Sequence, residues 1–311
     1  MVRSRKSSVV LVLVALLSLA LSGSGALAQN PGDSGLLFLR MGVGAREAAM
    51  GGAGVASSQG ASAVFWNPAN NVFADFQTDL VLQHYDYLGS FSHESAAVAH
   101  RVGNGVLGFI FTGLYAEEQQ RYSNDGVAVP EGTFSPYDVA FGVSYARPIG
   151  EDFAVGANAK MVYEKIDVHS DSGFAFDLFV SHRTMIEGLT FAASATNLGG
   201  QMDLYDGPFD IPTAYRVGGA FTPPDLFSGR LTATCDVLFP NDTTEKAHAG
   251  AELRIIPELV LRGGSALNYD LKSWTAGAGF RLGRVGIDYA YEDSQIEGFD
   301  AGHKFSVNFT W

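Results

Sequence analysis

The sequence predicts an all-β protein: a 14-stranded antiparallel transmembrane β-barrel with an N-terminal Gly/Ala-rich hatch segment. Three observations predict it. Long segments after residue 79 alternate between large apolar and small or polar side chains, the period of a strand whose two faces meet different surroundings. These segments number about 14, and their connections alternate between short and long, as a closed outer-membrane-type barrel requires. The stretch 42–70, GVGAREAAMGGAGVASSQGASAVFWNPAN, shows none of this alternation.

The chain opens MVRSRKSS, runs apolar from Val9 to Leu21 and ends a small-residue stretch at Ala26-Leu27-Ala28. A basic start, a short apolar centre and an A-x-A site read as a cleavable signal peptide over 1–28. Thirteen apolar residues fall short of the roughly 20 that a spanning helix needs. Residues 29–78 then read as the hatch and 79–311 as the barrel. Removing Arg3, Arg5 and Lys6 takes the 20 basic residues to 17 against 33 acidic, a net charge of about −16. Such a polyanion repels nucleic acid. The single cysteine, Cys235, excludes an intramolecular disulfide and a multi-cysteine zinc site. No apolar run after Leu21 is long enough for a spanning helix, so membrane entry requires a closed barrel.

Within the hatch stretch, Gly and Ala allow close backbone approach, which suits a plug inside a tube. The spacing of Ala45, Ala48, Ala49 and Gly52 suits a short narrow-faced helix. Pro68 pushes Asn67 out of helical geometry, which marks a turn at Asn67-Pro68-Ala69. Val64-Phe65-Trp66 argue for an ordered plug rather than a linker. A phosphate loop fails: Glu47 stands where the third glycine of Gly42-x-Gly44 should be, and no Gly-Lys-Ser/Thr follows.

The early strand candidates are Leu80–Tyr87, Ser95–Val102 and Val106–Tyr115, the last apolar on both faces through Phe109, Ile110 and Phe111. From Tyr137 the pattern is clean. Tyr137, Val139, Phe141, Val143 and Tyr145 alternate with Asp138, Ala140, Gly142, Ser144 and Ala146. Eleven such segments follow one another to the end of the chain, the last carrying Phe305, Val307, Phe309 and Trp311 on one face. Many have ten or more residues, against about 5–6 for an ordinary strand.

Position of charge favours a membrane barrel over a soluble sandwich. Asp177, Arg216, Asp236, Glu252, Arg254, Arg262, Arg281 and Asp288 all share the small or polar phase. An Arg or Lys facing lipid at mid-depth costs about 2–4 kcal/mol. A tight turn at Ile256–Glu258 places Glu252 opposite Arg262, and the turn Gly283-Arg284 places Arg281 diagonal to Asp288. Such pairs fill a lumen, or anchor the plug through Arg46 or Glu47. Gly103-Asn104, 148–152, 185–188, 256–258 and Gly283-Arg284 form one rim of short turns; 116–135, 199–212 and 293–302 are longer and belong to the other. The turn 222–229, with Pro223-Pro224, is the long exception on the short rim. With both ends of the mature chain on the short-turn side, that side is the periplasm.

The stretches Phe38-Leu39-Arg40 through Ala69, Tyr163-Glu164-Lys165-Ile166 with 172–177 (SGFAFD), Thr196-Asn197-Leu198-Gly199 and Ile287-Asp288-Tyr289-Ala290-Tyr291 resemble the PorV/PorQ family, distant relatives of the FadL-type fatty-acid transporters. The resemblance implies a barrel with an N-terminal hatch whose Asn-Pro-Ala turn is Asn67-Pro68-Ala69. It implies that Phe305, Phe309 and Trp311 form the signal read by the outer-membrane insertion machinery. It also implies a partner role in type IX-like secretion, with exported proteins or secretion subunits as partners besides outer-membrane lipid. A FadL-like channel for apolar small molecules is the second expectation, motivated by the two-sided apolar run Val106–Tyr115 beside the Ala/Gly plug.

No catalytic, cofactor or metal residues are expected. The seven histidines lack metal-ligand spacing. His169-Ser170 and His303 with Ser306 are the only neighbours that suggest a hydrolase, and adjacent strand residues point to opposite faces. Asp167, Asp171 and Asp242 fall in expected outer loops as solvated acids or weak cation contacts.

Overall fold

The computed structural model describes residues 34–122, 129–205, 207–269, 273–295 and 300–311; the signal-peptide stretch 1–28 and hatch residues 29–33 lie outside them. Fourteen strands close into one antiparallel barrel. They are β1 (Thr78–Tyr87), β2 (Phe91–Val102), β3 (Gly105–Ala116), β4 (Tyr137–Pro148), β5 (Phe153–Ile166), β6 (His169–Arg183) and β7 (Leu189–Gly199). The second half holds β8 (Ala214–Phe221), β9 (Leu231–Pro240), β10 (Lys246–Ile256), β11 (Leu259–Leu267), β12 (Trp274–Leu282), β13 (Val285–Glu292) and β14 (Gly302–Thr310). Each strand pairs with its sequence neighbour, and β1 pairs with β14 from Asp79↔Thr310 to Asp86↔His303. Closure leaves no edge, so every strand satisfies its backbone inside hydrocarbon. Trp311 completes the seam, its carbonyl accepting from the Gln77 and Thr78 amides at 3.1 and 2.7 Å.

The alternation becomes the two surfaces of the wall. Phe109, Phe141, Val143, Phe174, Leu178, Leu261, Phe280, Ile287 and Phe305 are exposed on the outside, as are Trp311 and the lone Cys235. Their neighbours Ser144, Asp177, Asp236, Lys304 and Ser306 are buried inside. The early strands depart from simple alternation for a local reason. Val81, Ala97, Ala99, Val106 and Ile110 turn inward against Ala61 and Val64 of the hatch. Both faces of β3 are apolar because one meets lipid and the other meets the plug.

Two of the longer connections carry hairpins of their own, Gln119–Tyr122 with Pro130–Phe134 and Gln201–Asp203 with Pro208–Asp210. Two turns on the same rim, after β1 and after β5, are nearly as short as those opposite. The expected start of the mature chain, near residue 29, lies outside the described residues, and the first described residues sit at the long-loop rim. Ser34 bridges Asp210, and the Gly35 amide donates to the Asp210 carbonyl at 3.2 Å. From Ser34 the described part of the hatch therefore runs from the long loops across the lumen to reach β1 at the short-turn rim.

The outer acids are also engaged rather than free. Asp167 pairs with Arg121, Asp242 with Arg40, and Asp171 accepts from the Ser172 and Asp203 amides.

The wall's two surfaces give a direct test. Val143→Arg places a cation on the lipid face and should cost about 2–4 kcal/mol. Val260→Arg adds the same charge beside the polar cavity at the short-turn rim and should cost far less. Urea unfolding of the two variants in phospholipid vesicles reads the difference; equal losses would contradict the assignment of faces.

Candidate functional site

The hatch is short in regular structure and held mostly by its backbone. It contains a 3-10 turn at Leu37–Arg40, a one-turn helix α1 (Ala45–Ala49), a second turn α2 (Ala63–Trp66) and a 3-10 segment at Pro68–Phe73. Helices this short cannot satisfy their own amides, so side chains of the wall do it. Gln83 accepts from the Gly44 amide at 2.5 Å, Ser306 from Ala45 at 2.9 Å, and Thr275 from Gly51 at 2.9 Å. Asp236 accepts from Val55 at 3.0 Å and Asp79 from Ala61 at 2.6 Å. The polar phase of the strands is thus the hydrogen-bonding complement of the hatch.

Wall glycines set how close the hatch comes. A Cβ on Gly264 would lie 2.2 Å from the Gly51 nitrogen, and one on Gly250 would lie 2.3 Å from the Met50 carbonyl oxygen. Both obstacles are backbone, so neither can swing away. Here the strand glycines mark where another chain segment passes.

Asn67-Pro68-Ala69 fastens the lower hatch. Asn67 is extended (φ −171°), and its side-chain oxygen accepts from the Ala69 amide. Its amide nitrogen donates to the carbonyls of Val55 at 3.0 Å and of Val180 in β6 at 2.9 Å. One asparagine therefore links two hatch strands of coil and the wall. Pro68 stands close over Gly156, and Ala69 packs with Ala154 and Phe179.

Charge joins hatch and wall in a chain of contacts. Arg46 makes a two-point contact with Glu252 at 2.9 and 3.2 Å. Glu252 meets Arg262 at 2.7 Å, Arg262 meets Asp288 at 2.6 Å, and Asp288 accepts from Asn308 at 2.7 Å. Arg46 also contacts Glu47, which accepts from Ser62 at 3.2 Å. Burial pushes the Glu47 carboxyl above its ordinary range, and the Arg46 charge pulls it back. Glu252 stands directly opposite Arg262 in the register. The register sets Arg281 against Gly286, two pairs nearer the rim and so diagonal to Asp288 as expected, but the Asp288 carboxylate takes Arg262 and Asn308 as its partners. The Arg281 side chain lines the cavity at the short-turn rim, while its backbone amide donates to the Glu258 carbonyl at 2.8 Å. Two more clusters lie deeper. Arg216 bridges Asp236 at 3.2 Å and the Gly52 carbonyl at 2.9 Å. Asp177 binds Lys160 at 2.8 Å and the Asn197 amide at 2.7 Å, at the β-bulge where β6 and β7 slip register.

Trp66 stands at the centre, where sequence reasoning saw only a bulky residue. Its indole N–H donates to the Val43 carbonyl at 2.6 Å, and the Arg216 guanidinium lies 5.0 Å from its ring centroid. Cβ atoms on Gly42 or Gly54 would lie 2.4 and 2.6 Å from the ring. Three cavities are arranged around it. One of about 340 Å³ lies at the long-loop rim, with Leu37, Phe38, Met41, Tyr85, Tyr87, Leu114 and Leu238 in its wall. A smaller one of about 80 Å³ continues inward past Phe38, Met41 and Leu238 to Phe65 and Trp66, where Lys160, Asp177 and Arg216 line its far side. A third of about 420 Å³, at the short-turn rim, is polar and lined by Arg46, Glu47, Glu252, Arg262, Arg281 and Asp288. The hatch from Gly42 to Ser62 separates these two from the third.

The hydrolase geometry does not form. Ser306 is occupied by the Ala45 amide, while His303 meets Tyr289; His169 and Ser170 both lie in β6. Among the described residues, no three His, Cys, Asp or Glu side chains converge as a metal site would require. Of the C-terminal aromatics, Phe305 and Trp311 are exposed and Phe309 is half-buried on the seam against Leu80.

No family model and no curated protein matches the sequence. Solved structures do match the fold. The Ralstonia pickettii toluene transporter TbuX superposes with a TM-score of 0.64 at 15% identity, over 87% of this chain and 98% of that one. The monoaromatic hydrocarbon channel CymD gives 0.61 at 12% identity, over 87% and 97%. A Pseudomonas aeruginosa FadL homologue gives 0.55 at 12% identity, again over 87% and 97%. The chain has the FadL-like 14-stranded barrel fold.

The ion chain predicts separable effects on hatch and wall. Arg46→Met removes a two-point contact to a charged partner, worth about 1.5–3 kcal/mol, while Glu252 keeps Arg262. Amide exchange should accelerate across residues 42–62 and stay slow in the strands. Uniform acceleration through the barrel, or none, would show that Arg46 does not anchor the hatch.

Proposed function

We propose that this protein is an outer-membrane channel that admits small apolar molecules, with the hatch as its barrier. The observation that carries this is the apolar cavity at the long-loop rim and its continuation to Trp66, joined through Phe38, Arg40, Met41, Gly42 and Leu238. A cavity of about 340 Å³ falls within the size of ordinary ligand pockets. Of the charged residues that line it, Arg40 pairs with Asp242 at 2.5 Å and Lys304 with Glu292 at 3.4 Å, and Lys246, Asp293 and Asp300 stand at its edge as well. The named hydrocarbon transport of the structures with the same fold supports the same reading. In this reading the short-turn rim faces the periplasm, as in outer-membrane barrels generally, and the long-loop rim faces outward.

A secretion-partner role of the PorV/PorQ kind rests on the motif resemblance. It predicts that exported proteins co-purify with the barrel from envelope extracts.

The channel reading is tested by entry of toluene into cells making the protein. Wild type should speed entry over cells lacking it. Leu238→Trp should abolish most of that gain, because Leu238 borders both apolar cavities and a larger ring fills their junction. A folded Leu238→Trp protein as active as wild type, or a wild type with no effect, would overturn the proposal.

A further inference from the structure

The short-turn rim is not uniform. From β10 to β14 it is made of Pro257-Glu258 and Gly283-Arg284, which barely leave the wall. From β4 to β9 three longer turns carry apolar side chains at their tips. Met185 is 94% exposed, Ile186 60%, Phe227 58%, Ile149 52% and Leu226 50%. These turns are joined to one another. The Arg183 amide donates to the Asp152 carbonyl at 2.9 Å, and the Thr222 amide to the Gly188 carbonyl at 2.9 Å. The five side chains therefore belong to one sector, and a cluster of that kind is not the scattered exposure normal for a surface. Phe227 also holds φ at +52°, and Ser228 at +55°. Two consecutive left-handed residues without glycine are a strained backbone. In water, the exposed Phe227 ring returns nothing for that strain.

We propose that this sector is an interfacial anchor: its turns dip into the headgroup and upper acyl region of the adjoining bilayer leaflet, and the opposite sector stays in water. Continuity selects lipid as the occupant. The outer face of the same strands is already the lipid surface, with Tyr145 on β4, Phe191 on β7 and Phe221 on β8 exposed just above these turns. The apolar tips extend that belt without a break. The sector holds Arg147, Arg183 and Arg230 beside Glu151, Asp152, Glu187 and Asp225. This mixed charge matches a zwitterionic headgroup layer rather than a strongly anionic one. An anchor on one side fixes the depth and tilt of the barrel, which strand length alone leaves free.

The test uses the whole chain with Cys235→Ser, reconstituted in phosphatidylcholine nanodiscs, where both rims are open to solution. A polarity-sensitive dye is attached at Met185→Cys, a position that contacts almost nothing, or at Gly283→Cys on the opposite sector. The expected result is an iodide quenching constant at least threefold lower at 185 than at 283, with quenching at 185 alone by lipids spin-labelled high on the acyl chain. Equal iodide access at the two sites, with no spin-label quenching at 185, would overturn the proposal. So would protection at 185 that appears only after a periplasmic protein extract is added, which would make the sector a protein-docking face. Ile149→Cys repeats the comparison from a second turn and must agree with Met185→Cys.

Discussion

Each strand of this barrel separates two environments that make opposite demands, and the rest of the structure depends on meeting both. Hydrocarbon outside requires apolar side chains and a backbone with no unpaired group. The lumen holds a segment with scarcely any regular structure, whose amides would be orphaned without partners. Gln83, Ser306, Thr275, Asp236 and Asp79 supply those partners from four different strands. Glycines 250 and 264 supply the room. A wall with an ordinary apolar inner face would bury the hatch amides unpaired, at roughly 1–3 kcal/mol each. The small and polar phase of the strands therefore answers to the hatch as much as to water.

The charged residues follow from the same demand. Buried ion pairs repay their desolvation only when geometry is good and spare lone pairs are met. Glu252 satisfies this by sitting between Arg46 and Arg262, and Asp288 by sitting between Arg262 and Asn308. The chain of contacts runs along the edge of the polar cavity rather than through the apolar one. On the Leu238 and Met41 side the same demand is met by separate pairs, Arg40 with Asp242, Lys160 with Asp177 and Lys304 with Glu292.

Much of this fold was legible in one sequence because strand alternation reports directly on two-faced burial. Tyr137–Ala146 states which of its residues face lipid, and the outer exposure of Phe141 and Val143 agrees. Glu252 and Arg262 were readable as opposite because a turn between them fixes register. The diagonal placement of Arg281 and Asp288 was readable in the same way, but not their lack of contact, since Asn308 and Arg262 from the flanking strands take Asp288. Val106–Tyr115 carried a real signal, two apolar faces, but the cause lay in Val64, forty residues away in sequence. Trp66 could not be placed at all. Its position depends on Gly42, Gly54 and Arg216 converging from separate parts of the chain, and no local pattern encodes that meeting. The crossing of the hatch from the long-loop rim was hidden for the same reason: it rests on Ser34 meeting Asp210.

The way the hatch is held also limits how it opens. Its middle and lower parts are tied by amide contacts to Thr275, Asp236 and Asp79, by the Arg46–Glu252 pair and by the Asn67 side chain. At about 0.5–1.5 kcal/mol net for each neutral bond and more for the charged ones, expelling the whole segment would sacrifice a large part of the roughly 5–15 kcal/mol that holds an ordinary domain together. The upper part is lighter. Between Met41 and Val43 the ties are the Val43 carbonyl to Trp66 and the Gly42 carbonyl to Lys304. Those are also the residues that lie between the two apolar cavities and the ring of Trp66. In the channel proposed above, a passage for apolar molecules opens at least cost where the segment 41–43 shifts against the indole, with α1 and the Asn67 turn still fastened to the wall.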